Sequence, residues 1–319
     1  MDAATAWEKI EQVLSNTRPN QRTDILFGLR NWLESCGEER PDTAVNQKVA
    51  SQLDIIADFI RKKLPLEAIL PSERIVAPTS GENADCNPRT TMHVDAFLYP
   101  DEEINKLCED GILSMSYCSD CGSRNIRPLT IISHSASKSR TQFIFQKVLP
   151  PDLVNGGTVV DVGSRLGVLC YGAYLMSGAS RIIGVELNSD LCTLQESVIQ
   201  RFSMNDRIQI VNADIVSLPD VLAGANAVFI NNSFEFFSDH SKQREIWAFI
   251  ARSCKPGCIL VTVPSLEDAF KSLQISPTLV DLTKWVRKMP IALSFMDESD
   301  DEFAEMKEVH RYEVLNPMK

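Results

Sequence analysis

The sequence predicts an α/β protein: a doubly wound, mostly parallel sheet of seven strands, preceded by a helical N-terminal domain. Three observations predict it. From residue 158 onward, short β-branched runs alternate with amphipathic stretches of helical length, the rhythm of repeated βαβ units. The first of these runs ends in Asp161-Val162-Gly163-Ser164-Arg165-Leu166-Gly167, a glycine turn leading from a strand into a helix. Before residue 75, in contrast, apolar residues recur only at helical spacing.

Residues 1–75 form the predicted helical domain. Trp7, Ile10, Val13 and Leu14 share one helical face, as do Ile25, Leu26, Leu29, Trp32 and Leu33, and then Val49, Leu53, Ile56, Phe59, Ile60 and Leu64. Three such segments make a small bundle or a layer against the next domain. No polar constellation interrupts them, so the expected role is a lid or a partner surface. Residues 76–124 read as a linker and a hairpin. Pro, Gly, Asn, Ser and Thr collect over 76–91; HVDAFLY then predicts a strand, EEINKLCEDG a short helix ended by Gly111, and ILSMSYCSDCGS a hairpin. The third unit, 125–319, begins with a helix over TQFIFQKVLPP, stopped by Pro150 and Pro151. Its first five strands are TVVDVG, RIIGVEL, IQIVNAD, AVFINN and CILVTV. A helix over PTLVDLTKWVRKM follows. A final antiparallel pair, PIALSFM and EVHRYEVL, flanks the acidic MDESDDEF and completes seven strands.

Composition narrows the function classes. A formal net charge of −11 over 319 residues opposes phosphate backbones, which makes a nucleic acid the weaker expectation for a partner. No apolar run approaches the ~20 residues of a membrane helix. The first residues, MDAATAWEKIEQVL, carry acids where a secretory signal carries bases. Nine scattered cysteines suit a reducing compartment, so a cytosolic or nuclear location is expected. Cys118 and Cys121 form one C-x-x-C-G knuckle without a second pair. Half a zinc site predicts a tight hairpin with two thiols, and no metal.

Three strand ends carry acids in register: Asp161, Glu186 and Asp214. In a doubly wound sheet the carboxyl ends of the strands line one crevice, so all three can face one ligand. Glu186 follows Gly163 by 186 − 163 = 23 positions, near the ~20 expected for a carboxylate gripping a ribose diol. A dinucleotide fingerprint needs glycine where Arg165 and Val168 stand, because a pyrophosphate needs close backbone approach. S-Adenosylmethionine has no phosphate, and it carries an ammonium that an acid such as Asp161 suits.

With VVDVGSRLG, GVEL, NAD and VFINNSFEFF, residues 125–319 resemble the class I, seven-strand, Rossmann-like S-adenosylmethionine-dependent methyltransferases. The resemblance implies S-adenosyl-L-methionine as cofactor. Asp161, Gly163, Ser164, Arg165 and Gly167 would lie at its methionine tail. Glu186 and Leu187 would meet the ribose, Asp214 and Ile215 the adenine, and Asn231 the reacting end. Arg165 departs from the family's commoner glycine, and its side chain is expected to point outward.

Asn231, Asn232 and Phe234 are the catalytic candidates. Amide oxygens can accept hydrogen bonds from an attacking amine, and aromatic walls exclude water. Glu235 and His240 are nearby proton acceptors. The Asn-Asn-x-Phe wording is similar to that of the non-SET histone-lysine methyltransferases, here with Ser233 inserted and with SHSASKSRTQFIF (133–145) in place of their substrate-side loop. A protein substrate, basic and methylated on a lysine amine, is therefore the first expectation. The acidic run Asp297–Glu302 is expected as a solvated loop. The alternatives are methylation of a nucleic acid or a small molecule, and an inactive methyltransferase-like adaptor. The nucleic-acid enzymes' Pro-Pro after the amide is absent.

Overall fold

β-Branched runs separated by capped helices have one economical arrangement, a sheet covered on both faces, and the computed structural model has that form. It describes residues 42–76, 78, 86, 91–114, 116–118, 126–128, 130–149, 154–293 and 301–318. The first two predicted helical segments, most of the 76–91 linker and Cys121 lie outside the described residues, as does the side chain of Cys118. The third segment is α1 (Asp42–Arg61). Small elements follow: β1 (Thr91–His93), α2 (Asp101–Glu109), β2 (Ser116–Cys118), β3 (Ile126–Pro128) and β4 (Thr130–Ile132). β1 pairs in parallel with β4, and β2 pairs antiparallel with β3, a strand that lies beyond the predicted hairpin ILSMSYCSDCGS. HVDAFLY is a strand only as far as His93, because Asp95 Oδ1 accepts the backbone N–H groups of Phe97 and Leu98 and turns the chain. α3 (Lys138–Phe143), capped by Ser137, continues into a π-helical turn over Ile144–Val148.

The main unit then runs β5 (Thr158–Val162), α4 (Val168–Met176), β6 (Arg181–Glu186), α5 (Ser189–Arg201), β7 (Ile208–Asn212), α6 (Pro219–Gly224) and β8 (Ala227–Asn231). It continues with α7 (His240–Ser253), β9 (Ile259–Val263), α8 (Leu266–Ser272), α9 (Leu282–Trp285), β10 (Val286–Met289), α10 (Asp301–Lys307) and β11 (His310–Val314). The strand order is β10-β11-β9-β8-β5-β6-β7. Only β11 runs against its two neighbours. The predicted seven-strand, doubly wound, mostly parallel sheet is therefore the observed one.

Successive residues of each strand feed opposite faces. Val159, Ile182, Phe229 and Val261 face one apolar layer, while Val160, Ile183, Val228 and Leu260 face the other. α1 belongs to the first layer. Its Val49, Leu53, Ile56, Ala57 and Ile60 are buried in the same cluster as Leu169 and Tyr171 of α4, and Phe59 meets Phe202 edge-on at 5.9 Å.

The C-terminal expectation needs correcting in detail. The predicted long helix is the four-residue α9, started by Asp281, whose Oδ1 accepts the Thr283 N–H. The sixth strand in sequence is Val286–Met289, inside that predicted helix, and not PIALSFM. Val286 and Met289 are buried, Arg287 pairs with Glu313 across the ladder, and Pro290, lacking an N–H, ends the strand. The acidic run is not all loop, since Asp301 and Glu302 begin α10. No described helix is long and apolar enough to cross a membrane.

Candidate functional site

The sheet changes direction beside β5: the chain builds β6 and β7 on one side, then returns to place β8 on the other. Crevices form at the carboxyl ends of strands at such a switch. Here a cavity of about 350 Å³ opens, within the range of small-ligand sites.

The turn after β5 is held from below. Asp161 is buried and accepts the Cys170 thiol at 3.8 Å; burial pushes its carboxyl up to about 7. The buried Ser164 donates Oγ–H to Gln195 Oε1 at 2.9 Å. Gly167, at φ +82°, precedes α4 where a Cβ would lie 2.7 Å from the Tyr171 ring. These three residues shape the turn and do not line the cavity. Gly163 and Arg165 do line it. Gly163 has φ +74°, and a Cβ there would come within 2.9 Å of Ser233.

At the end of β6, Glu186 faces the cavity with both oxygens anchored. Oε2 accepts the Arg165 N–H at 3.0 Å and Oε1 the Asn188 N–H at 2.8 Å. Burial raises its pKa, partly offset by those two hydrogen bonds. Leu187 lines the rim, and Ile215 lines the wall, beside Asp214. Asp214 Oδ1 accepts the Val216 N–H at 3.2 Å, and Oδ2 pairs with Lys242 at 2.8 Å.

β8 closes the other side. Asn231 Oδ1 accepts a hydrogen bond from Arg140 Nη1 at 3.4 Å. Asn232 stands at φ +51°, a conformation asparagine tolerates, and donates its N–H to Val263. The inserted Ser233 is part of the framework. Its Oγ–H donates to the Val162 carbonyl at 2.6 Å and ties the ends of β5 and β8 together. Phe234 is buried and meets Trp247 edge-on at 5.6 Å.

Glu235 and His240 do not line this cavity. They line a second one of about 810 Å³ over the ends of β8 and β9, and Asn232, Ser233 and Phe234 line both. Three residues thus form the partition between two adjoining spaces.

Arg165 does not point outward. Its side chain is 6% exposed, with Nη1 3.0 Å from Asp95, Nη2 3.3 Å from Glu73, and Nη2 donating to the Ala68 carbonyl at 2.5 Å. The left-handed backbone at φ +46° turns it inward, and two carboxylates from upstream of the sheet receive a charge that could not be buried alone.

The sequence pattern gave no sign of His134. Its ring stacks on His93 at 5.0 Å, with His134 Nε2 and His93 Nδ1 2.9 Å apart, against Phe236 and Phe237. Burial, with Arg165 and His93 nearby, pushes its pKa down to about 3, so it faces the cavity neutral. Glu73, Arg74 and Lys242 also line the cavity unforeseen. No spacing rule links 73, 134 and 242; only the fold brings them together. Among the described residues no cluster could hold a metal ion, and Cys108, Cys170, Cys192, Cys254 and Cys258 are free thiols.

No family model matches the chain, and no curated protein matches it. Solved structures are similar at low identity. An RNA methyltransferase from Salinibacter ruber, in complex with S-adenosyl-L-homocysteine, is 14% identical over 58% of this chain and 95% of its own, with a TM-score of 0.38. An O-methyltransferase from Bacillus cereus is 12% identical over 67% and 90%, at 0.39. A precorrin-6y C5,15-methyltransferase from Geobacter metallireducens GS-15 is 15% identical over 57% and 90%, at 0.40. Likenesses this distant assign neither an activity nor a substrate.

Proposed function

We propose that the chain is an S-adenosylmethionine-dependent methyltransferase. The observation that carries the reading is the partition: a nucleoside-sized cavity and a second cavity share the wall Asn232-Ser233-Phe234. Group transfer between two bound molecules needs two sites that meet at the reacting atoms.

The donor set of the first cavity fits the cofactor. Glu186 keeps free lone pairs for a ribose diol after its two backbone contacts, since each carboxylate oxygen accepts more than one hydrogen bond. Asp214, one strand over, lines the same cavity and would accept the adenine amino group. When bound, the cofactor supplies a methyl group activated on a sulfonium. The protein's part is positioning and desolvation. Phe234 and Phe237 line the wall and exclude water, while Asn231 and Asn232 offer amide groups to an incoming nucleophile.

For the acceptor we propose a protein amine, lysine first. The Asn-Asn-x-Phe segment supports it. The test is calorimetry with S-adenosylmethionine and S-adenosylhomocysteine on the wild type and Glu186→Ala. Binding lost in the variant is expected; a folded wild type that binds neither overturns the reading. Transfer of labelled methyl to an oligolysine peptide, a short RNA or catechol then decides the acceptor class, with the peptide expected.

A further inference from the structure

We infer that Glu73 is the cavity's ammonium-binding carboxylate, receiving the amino-acid end of the methyl donor from a strap that lies outside the sheet. The inference rests on the reading of the cavity as a methyl-donor site.

Glu73 belongs to the irregular segment between α1 and β1. Two tight turns shape this strap: the Ala68 N–H donates to the Pro65 carbonyl, and the Glu73 N–H to the Leu70 carbonyl. The Glu73 side chain is 3% exposed and lines the cavity. Its Oε2 accepts the Leu70 N–H at 2.7 Å, while Oε1 is buried without a hydrogen-bond partner. Arg165 Nη2 lies 3.3 Å from that oxygen without a hydrogen bond to it; Nη2 gives one N–H to the Ala68 carbonyl and Nη1 one to Asp95. Asp95 in turn is saturated by the Phe97 and Leu98 N–H groups, by Ser135 Oγ–H at 2.6 Å and by Arg165.

The local charge therefore does not close. One guanidinium faces two carboxylates, and Glu186 adds a third close enough for Glu73 to disfavour its ionisation. A buried carboxylate oxygen without a donor is costly, and a cation with N–H groups entering the cavity relieves it. A sulfonium has no N–H to give; an α-ammonium has three. Arg74, exposed on the rim of the same cavity, supplies the matching cation for an α-carboxylate. The site thus asks for an amino acid at the strap and a diol at Glu186.

Calorimetry on the whole chain separates this from a merely structural role. The two ligands are S-adenosylhomocysteine and 5′-deoxy-5′-methylthioadenosine, which lacks the amino-acid end. Glu73→Gln is expected to weaken the first by about tenfold or more, the size of a lost charged hydrogen bond. The second should change by less than about twofold, which also shows that the cavity is intact. Glu73→Asp, keeping the charge, should retain part of the preference. Unchanged S-adenosylhomocysteine affinity in Glu73→Gln overturns the inference and leaves the methyl-donor reading standing. So does equal loss of both ligands, or a loss of preference in Glu73→Asp as large as in Glu73→Gln. A wild type that binds neither ligand overturns the methyl-donor reading itself and the inference with it.

Discussion

Arg165 occupies a turn position where sequence alone argues for glycine, and its carboxylate partners lie far away in the chain, Asp95 seventy residues upstream. Replacing it with a neutral chain of similar length leaves Asp95 and Glu73 buried without their counter-charge. Arg165→Met should therefore cost roughly 3–5 kcal/mol, read as a lower urea midpoint at unchanged slope. Glu186 and Asp214 were legible because strand ends converge on one crevice whatever the loops do. The direction of Arg165 was not, because it depends on charges that no local window contains. His134 was illegible for a related reason: a histidine between two serines carries no period, and its meaning comes from Phe236 and Phe237 a hundred positions later.

Among elements, α1 shows how far the main core reaches. Leu53 is fully buried within the layer that also holds the β5 residue Val159 and the α4 residue Tyr171. Leu53→Ala should lower stability by about 2–5 kcal/mol in a single unfolding transition shared with the sheet. A separate, earlier transition would show that α1 folds apart from it. The apolar spacing of Val49, Leu53, Ile56 and Ile60 made this helix readable; what it packs against was not. The C-terminal strands failed differently. Val286-Arg287-Lys288-Met289 continues a helical spacing from Leu282 and Trp285, and periodicity cannot tell where a short helix yields to a strand.

For the molecule as a whole, two buried groups set opposing responses to pH. Asp161 rises from 3.8 to about 7 on folding, so the folded state holds its proton longer, and its contribution falls as pH climbs from about 4 to about 7. His134 drops from 6.5 to about 3, so the unfolded chain takes up a proton first, and its contribution falls as pH drops below 6.5. Over the shared window the two slopes oppose one another. Relative to the wild type, Asp161→Asn should gain stability from pH 4 to 7. His134→Gln should gain it in the other direction, from pH 6.5 down to 4. Urea titrations at fixed pH values read both, and parallel pH profiles for either variant and the wild type would contradict the burial argument.

The strap that carries Glu73 also bears on what counts as the smallest working unit. All seven strands and every helix between them lie after residue 157, so a fragment cut just before α3 would keep the whole sheet. It would nevertheless lack Ser72, Glu73 and Arg74 from one wall, Asp95 from beneath Arg165, and α1 from the outer layer. Such a fragment should bind the nucleoside poorly even where it folds. A ligand screen run on the sheet alone would then score as empty a pocket whose missing side was left behind in the cloning.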